Sequence, residues 1–364
     1  MKVVVACGGT GGHAFPGIAV AIEMRRRGHD VTVWDSGRDV ESRVMRLWDG
    51  PVFTTLARPL KLGNLFGIAR SYLRCRRRIR EDRPDVLLAM GSYSSLPPVL
   101  AAHRAGVKIV LHEANTVPGR AVEMLSRFAT MVATSFDSTA GYLKGVRTVR
   151  TGLPVRPGIA SGRRFDSIPP DALVVFVTGG SQGAHRVNCL ASEAIVEFDA
   201  LWRRSGEAAK RPLYVIHQTG ARDEGGVMAT YLGAGIPARV SAFENHMADA
   251  FASADIVIAR AGASTCFELA ACGKSALFLP LPSAVRNHQH FNAEAFVRTG
   301  AADEADQEKL SSHQLARYLF SRCKNEQALA GKTAKMRAMS VDDAAARVAD
   351  AVEKAAAADK PFVK

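Results

Sequence analysis

VVVACGGTGGH at residues 3–13 and LVVFVTGGSQGAH at residues 173–185 repeat one pattern: a strand rich in β-branched residues, a glycine-rich turn and the beginning of a helix. Backbone N–H groups and the positive end of the helix dipole meet at such a turn, and both favour a bound phosphate. Neither turn continues into the Lys-Ser/Thr pair of a P-loop. Because the two copies open two halves of similar size, we predict paired α/β domains that face each other across a nucleotide-sized cleft.

Strand-like and helical stretches alternate through both halves, which predicts two parallel sheets with helices on both faces. The strand-like runs are VVVA, VTVW, VLLAM, KIVLH and MVATS before residue 150, and ALVVFVT, PLYVIHQ, ARVSAF, DIVIAR and SALFLP after residue 170. We predict an N-terminal domain over 1–157, a Gly/Pro/Ser-rich linker over 158–170 and a C-terminal domain over 171–338. The Ala-rich stretch 336–358 predicts one continuous helix.

Composition narrows the class of protein. The chain has 364 residues, of which 47% are hydrophobic and 23% charged, as is usual for globular domains. It contains no run of 18 apolar residues, so no transmembrane helix is expected, and its first residues do not resemble a signal peptide. The six cysteines are scattered and form no CxxC pair. This predicts reduced thiols and a cytoplasmic location.

The net charge of +13 is concentrated in one segment, residues 58–80. Its eight basic residues, which stand among large apolar ones, are Arg58, Lys61, Arg70, Arg74, Arg76, Arg77, Arg78 and Arg80. Such a mixture is typical of a surface that lies on an anionic membrane. The alternative is a solvated helix face that packs on its own domain. No nucleic-acid-binding motif accompanies the charge, so nucleic acid is not expected as a partner.

Polar residues follow several predicted strands, where ligands of parallel sheets bind. His13 could accept a proton from an attacking hydroxyl, or it could only cap a helix. Glu113 supplies a carboxylate, or it is a buried partner for a backbone N–H or for His13. Glu268 could hold ribose hydroxyls, or it is an ordinary exposed glutamate. Arg156 and Ser181 are suited to a diphosphate, and no pair of carboxylates suggests a metal site.

Seven motifs occur in an order and spacing that resemble the MurG family of peptidoglycan N-acetylglucosaminyltransferases. They are GGTGGHAFPGIAVA, MGSYSSLPPVLAA, LHEANTVPGRA, TGLPVR, GGSQGAHRVN, ARAGASTCFELAACG and HQHFNAEAF. The resemblance implies a GT-B fold of two Rossmann-like domains, with a C-terminal helix over about 339–358 that crosses back to the N-terminal domain. It also implies an inverting transfer, without metal or cofactor, from UDP-GlcNAc to the muramoyl C4 hydroxyl of an undecaprenyl-diphosphate-linked acceptor. The resemblance places such an enzyme at the cytoplasmic face of the bacterial plasma membrane, and it implies cell-wall synthesis proteins as further partners.

The resemblance also assigns residues to the two substrates. Contacts to the UDP-GlcNAc donor are implied for Gly9, Thr10, Gly11, Asn115, Arg156, Ser181, Phe243, Glu244, Ala263, Ser264, Thr265, Cys266, Phe267, Glu268 and Gln289. Acceptor contacts are implied for Gly12, Ser92, Tyr93 and Ser94, with the acceptor diphosphate at the GGTGGH and GSYSS turns. His13 is the candidate base, with Glu113 as its alternative.

Two departures from the family pattern stand out. Gly91-Ser92-Tyr93 replaces the common Gly-Gly-Tyr, which predicts a slightly different backbone approach to the acceptor. AFENH at 242–246 leaves the uracil contact at Phe243 and Glu244 open.

Rival functions remain at this point. One is another GT-B transferase with a lipid acceptor, and another is a catalytically silent UDP-sugar-binding membrane scaffold. A dinucleotide dehydrogenase is disfavoured, because neither turn is GxGxxG with an acidic residue about 20 positions on.

Overall fold

The computed structural model describes residues 1–9, 11–38, 41, 44–58 and 64–358. The chain forms two compact units, with unit 1 made of Met1–Pro157 and Val341–Lys364 and unit 2 of Gly158–Ser340. The segment 158–170 is part of unit 2 rather than a separate connector, since Arg163 N–H donates to Asp249 Oδ1 at 2.9 Å. No described helix is both long and apolar enough to cross a membrane.

Unit 1 contains a seven-stranded parallel sheet in the order β3-β2-β1-β4-β5-β6-β7. Its strands are β1 (Lys2–Ala6), β2 (Asp30–Asp35), β3 (Val52–Thr54), β4 (Val86–Ala89), β5 (Lys108–Glu113), β6 (Met131–Thr134) and β7 (Thr148–Arg150). The helices described between them are α1 (Gly11–Arg26), α2 (Leu65–Asp82), α3 (Leu96–Arg104) and α4 (Arg120–Leu125). Strands β4 and β6 are buried along their whole length, and β1 and β5 at every residue but the first, as expected for a parallel sheet covered on both faces.

Unit 2 contains a six-stranded parallel sheet in the order β10-β9-β8-β11-β12-β13. Its strands are β8 (Leu173–Thr178), β9 (Leu213–Gln218), β10 (Ala238–Ser241), β11 (Ile256–Ala259), β12 (Ser275–Phe278) and β13 (Ala302–Glu304). Its helices are α5 (His185–Arg204), α6 (Glu224–Gly233), α7 (Met247–Ser253), α8 (Ala263–Cys272), α9 (His288–Val297), α10 (Ser312–Lys324) and α11 (Glu326–Ala338). The ten strand-like runs of the sequence are all strands, so the α/β prediction is confirmed.

The C-terminal stretch differs from its prediction. The continuous helix expected over 336–358 is wrong, because α11 ends at Ala338 and a separate helix, α12 (Ala344–Ala356), follows. Val341 lies in the break and packs against Gly152, where an added Cβ would stand 2.6 Å from the Val341 Cβ. The chain passes from unit 2 to unit 1 at this point. Helix α12 then buries Val348 and Val352 in the core of unit 1.

Each sheet has one point at which the strand order reverses. In unit 1 the reversal lies between β1 and β4, which pair in parallel with Ala6 opposite Ala89. In unit 2 it lies between β8 and β11, with Thr178 opposite Ala259. In open parallel sheets, ligands bind beyond the carboxyl ends of the strands at such switch points. The fold therefore presents one candidate crevice in each unit.

Candidate functional site

The unit 1 switch point is built from two turns in contact, one after β1 and one after β4. Gly9 has φ 131°, and a Cβ there would lie 2.5 Å from Ser92 Oγ, so only glycine fits. The Ser94 hydroxyl donates to the Gly8 carbonyl and ties the second turn to the first. The predicted acceptor residues Ser92, Tyr93 and Ser94 therefore lie beside the first glycine turn, whose Thr10 is outside the described residues.

Ser92 has an unusual backbone for a residue with a side chain. Its φ of 69° and ψ of 160° fall in a region that is essentially restricted to glycine. The chain thus keeps a glycine-type backbone at this departure from Gly-Gly-Tyr. What changes is the added hydroxyl, which stands next to Gly9.

His13 is the third residue of α1 and lies close to Gly91, where an added Cβ would be 3.6 Å from His13 Cδ2. Burial lowers the pKa of His13 from 6.5 to about 4, against the opposing charge of Glu41. The imidazole is therefore neutral near pH 7 and can accept a proton. His112, which is completely buried, donates from Nε2 to the Gly152 carbonyl at 3.1 Å.

Glu113 uses both carboxylate oxygens inside its own loop. Oε1 accepts from Asn115 N–H at 2.8 Å and from Asn115 Nδ2 at 3.0 Å, and Oε2 accepts from Gly119 N–H at 2.9 Å. Burial raises the pKa of Glu113, and these hydrogen bonds oppose the rise. This geometry favours the alternative in which Glu113 is a buried partner of backbone N–H groups. Its effect is to orient the amide of Asn115.

Sequence reasoning missed Glu41, which is 1% exposed. Its Oε1 accepts from Gly9 N–H at 2.6 Å, and its Oε2 accepts from Ser36 N–H at 2.8 Å. The Arg38 guanidinium donates to the Gly9 carbonyl at 3.0 Å. Glu41 lies in the segment that follows β2, which ends at Asp35, and residues beyond a strand end are candidates for a site. Arg156, a predicted donor contact, stacks over the Phe15 ring of α1 at 4.3 Å.

The unit 2 switch point begins with the turn Gly179–Gly183. A Cβ on Gly183 would lie 1.9 Å from the Thr219 carbonyl oxygen, so this close approach requires glycine. Gln218 Nε2 donates to the Gly180 carbonyl at 3.0 Å and holds the turn from the neighbouring strand. Ser181 lies at the exposed tip of the turn, where its hydroxyl is available to a ligand.

The second part of this crevice is the beginning of α8. A Cβ added to its N-cap residue, Gly262, would meet nothing within 4 Å, so the helix start is open to a ligand. The first N–H groups of a helix lack intrahelical acceptors and attract anions. Glu268 follows on the same helix and is 5% exposed, so the alternative of an exposed glutamate is wrong.

Some predicted donor residues turn their side chains away from solvent. Cys266 is completely buried, and Phe267 packs edge-on against Phe296 at 5.9 Å, so only the backbone atoms of both are available to a ligand. Glu244 is 1% exposed and binds Arg239 Nε at 2.9 Å and the His246 N–H at 2.8 Å. Its carboxylate therefore stabilises the loop before α7. Phe243 beside it is partly exposed.

Gln289, predicted to read the sugar, lies on α9. Its Oε1 accepts from Leu281 N–H at 3.0 Å, which fixes the orientation of the amide. Asn292 Nδ2 donates to the Ala261 carbonyl at 3.2 Å and attaches α9 to the turn before α8. These contacts place Gln289 next to the start of α8.

Comparison with known proteins agrees with this geometry. The model of the glycosyltransferase family 28 N-terminal domain matches residues 3–134, and that of the C-terminal domain matches residues 174–348. The chain belongs to glycosyltransferase family 28. The resemblance to the MurG family is confirmed, and so is the GT-B fold. The two crevices described above therefore belong to the GT-B fold of a family 28 glycosyltransferase.

Individual relatives cover most of this glycosyltransferase. A protein of Pelobacter propionicus named UDP-N-acetylglucosamine–N-acetylmuramyl-(pentapeptide) pyrophosphoryl-undecaprenol N-acetylglucosamine transferase is 38% identical, over 87% of this chain and 89% of its own. A protein of the same name from Citrifermentans bemidjiense is 34% identical, over 97% of this chain and 99% of its own. The crystal structure of Acinetobacter baumannii MurG has a TM-score of 0.76 at 29% identity, over 97% and 99% of the two chains.

Proposed function

We propose that this glycosyltransferase moves GlcNAc from UDP-GlcNAc to the C4 hydroxyl of a muramoyl-pentapeptide carried on undecaprenyl diphosphate. The names of its relatives support this activity. The observation that carries it is the pairing, at the unit 2 switch point, of an open helix start with the buried carboxylate of Glu268. One binds diphosphate and the other binds a ribose diol, which together select a nucleoside diphosphate donor.

In the proposed reaction the acceptor oxygen attacks the anomeric carbon of GlcNAc from the face opposite UDP, so the configuration inverts. His13 accepts the hydroxyl proton while UDP leaves. With a pKa of about 4 in the free protein, His13 is a weak base. The diphosphate of the acceptor, bound at the neighbouring turn, would raise that pKa when the base is needed. The start of α8, Ser181 and Arg156 would stabilise the leaving diphosphate.

The activity is tested by incubating the protein with UDP-GlcNAc and a short-chain lipid-linked muramoyl acceptor. UDP release should require both substrates. Release of UDP with UDP-GlcNAc alone would indicate a hydrolase. No release when both substrates are present would favour the scaffold alternative. A different lipid acceptor that supports faster release would favour another GT-B transferase.

Metal dependence gives a separate prediction. Because helix N-termini and Arg156 are proposed to neutralise the leaving diphosphate, EDTA should leave the rate of UDP release within about two-fold of the untreated rate. Activity that EDTA abolishes and Mg²⁺ or Mn²⁺ restores would contradict this proposal.

Replacing Glu268 with alanine tests the donor site. The change removes charge-assisted hydrogen bonds to the ribose, worth about 1.5–3 kcal/mol, so UDP should bind at least about ten-fold more weakly. Calorimetric titration with UDP measures the effect. Glu193→Ala, at an exposed glutamate of α5, is the matched control and should bind UDP normally. Unchanged affinity in Glu268→Ala would remove Glu268 from the site.

We also propose that unit 1 binds the cytoplasmic face of the bacterial plasma membrane through α2 and the segment before it. Leu65 is 62% exposed, Phe66 is 83% exposed and Leu73 is 59% exposed, whereas the buried face of the helix carries Cys75 and Ile79. The exposed side therefore combines apolar and basic residues, which favours membrane contact over a merely solvated face. Lys61 and its neighbours at 59–63 lie outside the described residues.

The basic residues of α2 differ in what they contact, which decides the variant to test. Arg74 and Arg78 lie over the Phe53 ring, at 5.4 and 5.8 Å, and so support the fold of unit 1. Arg70 and Arg77 are exposed and line a groove of about 520 Å³ with Phe66 and Leu73. Reversal of these two charges should therefore affect membrane binding without disturbing the fold.

The double variant Arg70→Glu/Arg77→Glu should partition at least about ten-fold less onto anionic vesicles at low salt, because each basic residue contributes on the order of 1 kcal/mol. Vesicle co-sedimentation measures this. The matched control, Lys144→Glu/Arg147→Glu, makes the same charge change at exposed positions beside β7, the opposite edge of the sheet. Equal loss in both variants would indicate a response to net charge alone.

A further inference from the structure

The peptide groups of Gly9 are held from both sides by one short segment after β2. Glu41 accepts the Gly9 N–H at 2.6 Å, and Arg38 donates to the Gly9 carbonyl at 3.0 Å. Gly9 has φ 131°, a conformation that it adopts without local secondary structure to hold it. The conformation of the first glycine turn is thus set by contacts with residues about 30 positions further along the chain.

The contact with Glu41 requires a carboxylate. Besides Gly9 N–H, its Oε1 accepts from the Ser36 hydroxyl, and its Oε2 accepts from Ser36 N–H at 2.8 Å. Three donors therefore converge on two oxygens in a place that is 1% exposed. A glutamine would turn an NH₂ group towards one of these N–H donors, and an aspartate is one methylene shorter. Only an acceptor-only side chain of this length satisfies all three.

The same segment also reaches the second turn of the crevice. The Arg38 guanidinium lies over the Tyr93 ring at 5.9 Å. Glu41 acts on His13 as well, because its charge raises the pKa of the imidazole against the effect of burial. Residues 38 and 41 are therefore connected to the turn, to the predicted acceptor contact Tyr93 and to the candidate base.

We infer that Glu41 and Arg38 are positioning residues, which hold the first glycine turn in the form that receives the acceptor diphosphate. This inference rests on the proposed function. Because Glu41 already accepts the Gly9 N–H at 2.6 Å, that group holds the turn in place and does not serve as a phosphate donor.

The test is the steady-state kinetics of Glu41→Gln with UDP-GlcNAc and the short-chain lipid-linked acceptor. We expect KM for the acceptor to rise at least ten-fold and kcat to fall, while KM for UDP-GlcNAc and the calorimetric affinity for UDP stay within two-fold. A merely structural defect would instead lower the thermal midpoint and weaken both substrates together. Glu81→Gln, at an exposed glutamate of α2, removes the same charge from unit 1 and should behave like the parent.

Arg38→Met provides a second test, since Arg38 is exposed and its replacement leaves the core intact. It should raise the acceptor KM at least three-fold with no change in UDP affinity. Acceptor KM values within two-fold of the parent in both variants would overturn the inference. Absence of transfer by the parent protein, in contrast, would overturn the proposed function, so the two failures are distinguishable.

Discussion

Replacement of His13 with alanine is expected to lower kcat by a factor of about 100 to 10,000, the usual contribution of a positioned general base. The acceptor hydroxyl is a poor nucleophile until its proton has a place to go, and His13 is the half-buried imidazole that follows the first turn of the unit 1 crevice and lies beside the second. UDP affinity should remain within two-fold, because the residues proposed to bind most of UDP lie in unit 2. Rapid-quench measurement of the transfer step, together with UDP calorimetry, separates the two quantities.

A matched control for this variant is His103→Ala, at an exposed histidine in the last turn of α3. It should retain the kcat of the parent when the acceptor is presented in detergent. If His13→Ala keeps more than a tenth of the parental kcat, His13 is not the base. The contacts of Glu113 argue against it as the base, since both of its oxygens already accept backbone N–H groups.

The second large effect is a loss of stability in mild acid. Burial lowers the pKa of His13 and of His112 to about 4 and that of His217 to about 3, from the ordinary 6.5. Between pH 6.5 and 4 the unfolded chain binds protons at these positions and the folded chain does not. Stability is therefore highest above pH 6.5 and falls as the pH is lowered through this window.

At pH 5 each of these histidines should contribute a loss of about 2 kcal/mol relative to pH 7, which is 1.36 kcal/mol for each pH unit below its ordinary pKa. The sum is a large part of the 5–15 kcal/mol that usually stabilises a folded protein. Urea unfolding at pH 7, 6 and 5 measures the change. Constant free energies of unfolding across this range would show that the histidines are protonated in the folded state.

The variant His217→Gln tests how much one of these three histidines contributes to the loss of stability in acid. His217 is completely buried, with hydrogen bonds from its ring to Tyr231 OH at 2.9 Å and to Asn188 Oδ1 at 3.2 Å. Glutamine retains hydrogen-bonding capacity but does not titrate. The variant is expected to be less stable than the parent at pH 7, with a decrease between pH 7 and 5 that is smaller by about a third.

The fold class could be predicted from the sequence because it depends on local patterns. Alternating buried strands and helices define a parallel sheet. His13 and Ser92 both follow strands of the unit 1 sheet, and since the carboxyl ends of parallel strands lie at one edge, these two residues were expected to meet there. The glycine turns could also be predicted from the sequence. Glycine is required at Gly9 and Gly183 because contacts there exclude any Cβ, so the requirement is visible as a glycine-rich stretch.

The direction of individual side chains could not be predicted in this way. Cys266, Phe267 and Glu244 occupy positions next to a site and yet are buried, because residues distant in the chain cover them or bind them. The break at 339–343 has the same origin. Its composition favours a helix, but the chain must leave unit 2 there, and Val341 packs against Gly152.

The sequence by itself determined the two parallel sheets, the two glycine turns and the family, since each is recorded in residues close together along the chain. Only the tertiary structure decided what each carboxylate contacts. Glu113 is the last residue of β5 and Glu41 lies in the segment after β2, and each satisfies backbone N–H groups of a turn, while Glu268 is buried on α8. The physical reason is that a buried carboxylate must find donors, and these can be distant in the chain: Gly9, a donor to Glu41, lies 32 positions away.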